Sequence, residues 1–288
     1  NVSVGRASLT TNTTGSNNTA LGHASLGSNT TANDNTAVGY QSLTTNTTGT
    51  ENVALGSNAL RANTTANYNT AVGYSSLYNN TTGGQNSALG TAALQANTTG
   101  IRNTALGWNA LLNNTTAQGN TAVGAYAALA NTTGAGNTFI GYDTAPTNTT
   151  GASNSTLGSG SLHQNSTGNN NTALGKDALY YNTTADANTA VGYQAGYSNT
   201  TGQPITAMGY YTLNQNTTGV HNNAYGYRAM RLNTTGGYNT ALGGDALYSN
   251  TTASNNVAVG YQAGYSNTTG TDNTLIGGAA GDALTTSS

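Results

Sequence analysis

Glycine recurs along this chain at an unbroken interval of 17 residues: Gly5, Gly22, Gly39, Gly56, Gly73, Gly90, Gly107, Gly124, Gly141, Gly158, Gly175, Gly192, Gly209, Gly226, Gly243, Gly260 and Gly277. No insertion or deletion interrupts the series. A unit reads N-T-A-[VL]-G-Y-x-A-L-x-x-N-T-T-G-x-x, and its positions are numbered here as columns 1 to 17. Strict phasing of this kind is what stacking demands, because an insertion would throw every column out of line with its neighbours. The 288 residues are therefore expected to form a single continuous solenoid, 1–288, of seventeen coils, the last one residue short.

The period also limits the kind of coil. Two helices need a repeat of more than about 30 residues. A single helix per unit would be broken by the fixed Gly and the Asn-Thr-Thr run. Short strands fit, and the fold class expected is all-β, a parallel β-roll. Columns 2 and 4, Thr and an apolar residue, share one face of an extended segment, with Asn, Ala and Gly opposite. A second short strand is expected over columns 7 to 10 or across columns 12 to 14. The large apolar residues at columns 4 and 9 are expected to be the core. Column 9 becomes Gly at Gly196, Gly264 and Gly281, and in the first two coils Tyr197 and Tyr265 are expected to fold over the gap.

Two large apolar residues per 17 make a thin core. Burying each yields roughly 1.5–3 kcal/mol, against a backbone ordering cost of roughly 1–2 kcal/mol per residue. Ladders of backbone, Asn and Thr must supply the rest, and an apolar seam shared between chains would help. The expected partner is therefore the chain itself, in a closed homo-oligomer. Blunt solenoid ends invite head-to-tail pairing into a filament. The start at Asn1, with no Met and no signal sequence, reads as a piece of something longer.

The stretches Asn35-Thr-Ala-Val-Gly39, Asn52-Val-Ala-Leu-Gly56 and Asn256-Val-Ala-Val-Gly260 resemble the head repeat of trimeric autotransporter adhesins, written roughly N-S-V-A-I-G. Similar repeats occur in phage tail fibres and other surface fibres, and the likeness returns in nearly every unit. It implies a left-handed parallel β-roll and three chains side by side. It also implies an extracellular, cell-surface or virion location and a surface that contacts host matrix or glycans. The 17-residue coil is longer than that family's, and N-T-T is not part of its basic motif.

Composition narrows the function. Lys and Arg total 6 and Asp and Glu total 8, giving a net charge of −2. No basic patch is available to neutralise phosphates, which argues against nucleic acid and against an anionic membrane surface. The absence of Cys excludes disulfides and thiolate metal sites. His23, His163 and His221 fall in columns 6, 10 and 17 and form no ladder. The carboxylates Asp34, Glu51, Asp143, Asp177, Asp186, Asp245, Asp272 and Asp282 are scattered over variable columns. No acid–base pair, nucleophile–base pair or metal cluster emerges. Expected, then, are no catalytic residues, no metal, no cofactor and no enzyme. The reading is a stiff fibre segment with a repeated binding surface. Its alternatives are a surface filament with one glycan per coil, and an ice- or carbohydrate-binding solenoid. Tyr40, Tyr74, Tyr142, Tyr193, Tyr210, Tyr227, Tyr261 and Trp108 share column 6, and Tyr78, Tyr180, Tyr197, Tyr248 and Tyr265 share column 10. Either they lie over a thin coil or they make an aromatic stripe for a ligand.

N-T-T has two readings. It is a glycosylation acceptor signal at Asn12, Asn29, Asn46, Asn63, Asn80, Asn97, Asn114, Asn131, Asn148, Asn165, Asn182, Asn199, Asn216, Asn233, Asn250 and Asn267. It is also what an Asn ladder between coils would look like. Column 1 keeps Asn just as faithfully, mostly in N-T-A, which is no acceptor signal. Column 13 keeps Thr although the signal leaves that position free, and Thr286 persists where Leu284 has replaced the Asn. The ladder is favoured, and the direction of the column-12 side chain decides.

Overall fold

The computed structural model describes residues 1–286. Among the described residues all seventeen elements are β-strands, one per coil. They fall in two compact units. The first, Asn1–Thr150, holds β1 (Val2–Val4), β2 (Thr19–Leu21), β3 (Thr36–Val38), β4 (Val53–Leu55), β5 (Thr70–Val72), β6 (Ser87–Leu89), β7 (Thr104–Leu106), β8 (Thr121–Val123) and β9 (Thr138–Ile140). The second begins at Gly151. It holds β10 (Ser155–Leu157), β11 (Thr172–Leu174), β12 (Thr189–Val191), β13 (Ile205–Met208), β14 (Asn222–Tyr225), β15 (Thr240–Leu242), β16 (Val257–Val259) and β17 (Thr274–Ile276). Within each unit every strand pairs in parallel with the next, in a register that sets each column on itself: Thr70 on Ser87, Ala71 on Ala88, Val72 on Leu89. Each unit is thus a parallel β-solenoid.

The second strand is not formed. After Gly90 the chain runs through consecutive turns, with Ala92 and Leu94 in the left-handed region at φ 56° and 52°. The Ala93 and Asn97 amides donate back to the Gly90 and Leu94 carbonyls at 3.4 and 3.1 Å. Alternating left-handed residues curl the chain too tightly for a strand. Columns 12 to 14 are also outside any strand, yet they stack. The Thr98 and Thr99 amides both donate to the Thr115 carbonyl, at 2.9 and 3.3 Å.

The core also differs from expectation. The middle of each strand, column 3, faces inward: Ala20, Ala37, Ala54, Ala71 and Ala122 are fully buried. Column 4 faces out, with Leu21, Leu89, Leu106 and Leu157 between 41% and 54% exposed. The reason is width. The coil closes over so little space that Ala at column 3, Leu at column 9 and the two Asn columns fill it. Leu26, Leu43, Leu60, Leu77, Leu94 and Leu111 are all fully buried, as expected for column 9.

Interior volume is conserved between columns. A Cβ built on Gly196 would sit 3.5 Å from Cδ1 of Ile205, the one residue that replaces Asn in column 1. One on Gly264 would lie 2.9 Å from Cδ1 of Leu275, and one on Gly281 would lie 2.8 Å from its Cδ2. Ile205 and Leu275 thus fill the gaps that column 9 leaves. Tyr197 and Tyr265 do not. They stack instead on the column-10 tyrosines of the preceding coils, Tyr180 and Tyr248, with centroids 5.3 and 5.1 Å apart.

Candidate functional surfaces

Two buried Asn ladders run through each unit. In column 12, the Asn97 amide nitrogen donates to Asn80 Oδ1 at 2.8 Å and to the Gly100 carbonyl at 3.0 Å. Its own Oδ1 accepts from Asn114 at 2.9 Å. In column 1, Asn86 donates to the same Gly100 carbonyl at 2.9 Å, and its Oδ1 accepts from the Asn103 backbone amide at 2.9 Å. One carbonyl thus gathers both ladders in such a coil, whereas around Ile205, where column 1 lacks Asn, Gly202 and Gly219 accept from the column-12 Asn alone. The column that supplies the carbonyl holds only Gly or Ala through Gly270 (Gly15, Ala32, Gly49, Ala66 and onward).

The column-12 side chains point inward. Asn29 through Asn250 are fully buried in this column, and Asn267 is 1% exposed. Both protons of the Asn97 amide are used within the fold. Replacing Asn97 by Ala strands the Asn80 oxygen and one Asn114 proton, each worth roughly 1–3 kcal/mol. The expected loss is therefore about 2–5 kcal/mol, measurable by denaturant unfolding, whereas Thr99→Ala at the exposed column-14 position should cost under about 0.5 kcal/mol.

The column-5 glycines stand where the strand leaves the sheet, and their backbones pack on one another. The scattered carboxylates are not brought together into a site. Asp245 pairs with Arg228, Nε to Oδ1 at 2.8 Å and Nη2 to Oδ2 at 2.9 Å. Asp186 accepts from Asn169, and Asp34 from Asn17, at 3.1 and 3.0 Å. Among the described residues no group of three or more His, Asp or Glu is placed to hold a metal. No helix of the described residues is long and apolar enough to cross a membrane.

Two surfaces remain. The first is the outer sheet face of columns 2 and 4, Thr beside Val or Leu. In the first unit it carries a shallow depression of about 270 Å³ lined by Thr70, Val72, Leu89, Thr104 and Leu106, among others. The sequence signal for it is the apolar column 4, which the sequence leads one to expect in the core and the fold turns outward.

The second is an aromatic and basic face on the second unit. Tyr193, Tyr210 and Tyr227 stack along column 6 with centroids 5.3 and 5.6 Å apart, and Tyr211 meets Tyr210 edge-on at 4.4 Å. Arg228 lies over Tyr227 and Tyr248 at 4.7 and 5.1 Å, and Arg231 lies over Tyr211 at 5.1 Å. A hydrogen bond to Tyr211 raises the Tyr193 phenol above its usual pKa. Burial, then hydrogen bonding to Tyr181, pushes Tyr197 up to about 12. These phenols stay protonated near neutral pH and keep a hydroxyl proton to donate. Of the histidines, His163 stacks on Tyr180 of column 10 at 4.6 Å, while His221 stacks on Tyr238 in column 17 at 4.8 Å and His23 on Tyr40 in the first unit at 5.4 Å.

Comparison of the chain with protein-family models, curated proteins and solved structures finds no match.

Proposed function

We propose that the chain is a non-enzymatic structural fibre segment, a stiff spacer at a cell surface or in a virion fibre, whose lateral partner is another copy of itself. The observation that carries this reading is the outward column 4. Leu21, Leu89, Leu106, Leu157 and Leu242 are 41–54% exposed on a face that carries no charge. A contiguous exposed apolar stripe marks an interaction surface. Its knobs recur once per coil, at the ~4.8 Å spacing of paired strands, and a second copy presents the same period. A standard interface needs roughly 800 Å² from each partner, so the nine coils of one unit would each have to bury about 90 Å². Three copies about a common axis is the arrangement that the likeness to adhesin head repeats implies.

Native mass spectrometry and sedimentation of the purified chain test this reading. The wild type is expected to be oligomeric. A Leu55→Lys/Leu89→Lys/Leu106→Lys variant is expected to sediment as a monomer at micromolar concentration. The substitutions sit on the solvent side, so the fold should lose no more than about 0.5 kcal/mol per site. A monomeric wild type, or a variant that still assembles, rejects the reading.

The inward column-12 Asn supports a bare filament over a glycosylated one. Produced in a glycosylating host, the folded chain is expected to have the mass of unmodified polypeptide. The ice-binding alternative draws on the exposed Thr of column 2, but the neighbouring column alternates Val with the longer Leu and includes Met208 and Tyr225. That irregular height suits interlocking with a second chain better than a flat lattice of ice.

A further inference from the structure

The solenoid builds the same side-chain arrangement twice and completes it only once. In the first unit, column-10 Arg61 donates its Nε to Gln41 Oε1 at 3.1 Å, and its Nη1 to the Tyr78 hydroxyl. Gln41 is the column-7 residue of the preceding coil, and Tyr78 the column-10 residue of the next. In the second unit, column-10 Arg231 donates its Nη1 to the matching Tyr248 hydroxyl at 3.0 Å. Its column-7 neighbour is Tyr211, which presents a ring in place of an amide oxygen. Arg231 Nε is consequently buried without an acceptor. A buried donor without a partner costs roughly 1–3 kcal/mol, so a group left in this state calls for an explanation.

The charge is unanswered as well. Between Ile205 and Asn255 the ionised side chains are Arg228, Arg231 and Asp245. Asp245 is engaged by Arg228 in a two-bond fork. Arg231 is the cation left over, held between two tyrosines and close beneath a surface where Tyr210 and Tyr227 are 44% and 52% exposed. Because the column-6 rings stack face to face, they present edges and hydroxyls outward. Gln194 lies in column 7, one coil before Tyr211. One lone cation among phenols and amides matches a ligand with many hydroxyls and a single anionic group. An acidic peptide or a nucleic acid would call for several cations.

We propose that Arg231, clasped between Tyr211 and Tyr248, is a binding site for the carboxylate of an acidic saccharide. On binding, the Tyr211 ring swings off the guanidinium, and the carboxylate takes the uncovered Nε–Nη2 edge in the forked geometry Arg favours. The tyrosine and glutamine side chains of coils 12 to 14 receive the sugar hydroxyls. The site uses columns 6, 7 and 10, so it does not depend on the lateral association proposed for columns 2 and 4.

Calorimetric titration of the full chain with an acidic tetramer of three xyloses and one glucuronic acid tests this, with a neutral xylose tetramer as comparison. The acidic tetramer is expected to bind saturably, and the neutral one at least tenfold more weakly. Arg231→Gln should cost at least tenfold in affinity with the thermal midpoint unchanged. Arg61→Gln, in the completed copy, should leave affinity unchanged. Tyr211→Gln installs the acceptor that Arg61 already has, and should weaken binding several-fold without removing the cation. This variant carries the test if Arg231→Gln proves unstable. Absence of saturable binding at millimolar tetramer overturns the proposal. So does equal binding of the neutral tetramer, or unchanged affinity in both Arg231→Gln and Tyr211→Gln.

Discussion

Replacing Gly90 with Ala is expected to cost more than about 4 kcal/mol, the range reserved for severe and specific mechanisms. Gly90 has φ 139°, a region that residues with a side chain rarely occupy. Its added Cβ would lie 2.4 Å from the Gly107 carbonyl oxygen and 2.7 Å from the carbon. Both are backbone atoms of a paired coil, so neither can swing aside as a side chain would. The Gly90 amide also donates to the Val72 carbonyl at 2.8 Å, so a shift outward on one side breaks a ladder bond on the other. Because each coil touches only its neighbours, the damage should divide one cooperative unfolding transition into two. Thermal unfolding followed by far-UV circular dichroism and by hydrogen exchange reads this directly. Gly119→Asn is the control. Gly119 is left-handed at φ 68° with nothing within 4 Å of its would-be Cβ, and Asn17, Asn170 and Asn255 hold the same column at φ 58–61°. That variant should stay within about 1 kcal/mol of wild type. A Gly90→Ala protein that melts beside the control refutes the close-packed glycine stack.

Phe139→Ala should be nearly as damaging, at roughly 3–5 kcal/mol for a buried aromatic truncated to Ala. Phe139 is fully buried in column 3, where most coils have Ala. The two column-9 residues that flank this level, Ala128 and Ala145, are small where most coils have Leu. The arrangement repeats that of Leu275 between Gly264 and Gly281, so Phe139 fills space that two leucines would otherwise occupy. The double variant Ala128→Leu/Phe139→Ala should therefore recover a substantial part of the loss. Ala128→Leu alone should overpack the coil and cost roughly 1–3 kcal/mol. Denaturant midpoints of the three variants separate compensation from simple loss of an aromatic. If the double variant is no more stable than Phe139→Ala, the two columns do not share one volume.

Much of the fold was legible because a solenoid repeats its constraints. The column-5 Gly, the strand at columns 2 to 4 and the buried Leu of column 9 follow from spacing and from what each residue type tolerates. The Asn ladder of column 12 was legible through its comparison with column 1. Column 4 was misread because alternation along three residues identifies two faces and does not say which is inside. The usual rule that the larger apolar residue is buried fails in a coil this narrow, where column 3 has room for more than a small residue only when column 9 gives up its Leu. The Arg228–Asp245 and Arg231–Tyr248 contacts were hidden by scatter. Their partners lie 17 residues apart in variable columns, and nothing in the spacing says which side chains reach across.

The sequence by itself determined the period, the parallel stacking and the identity of the laddered residues. Each is a statement about what must repeat, and repetition is written in the chain. Only the tertiary structure decided which way each column points. That depends on the left-handed turns at columns 7 and 9, which curl the coil until Leu and two Asn fill it and Val or Leu is turned out. Side-chain direction is set by how the coil closes, and closure belongs to the three-dimensional path rather than to any one unit of 17.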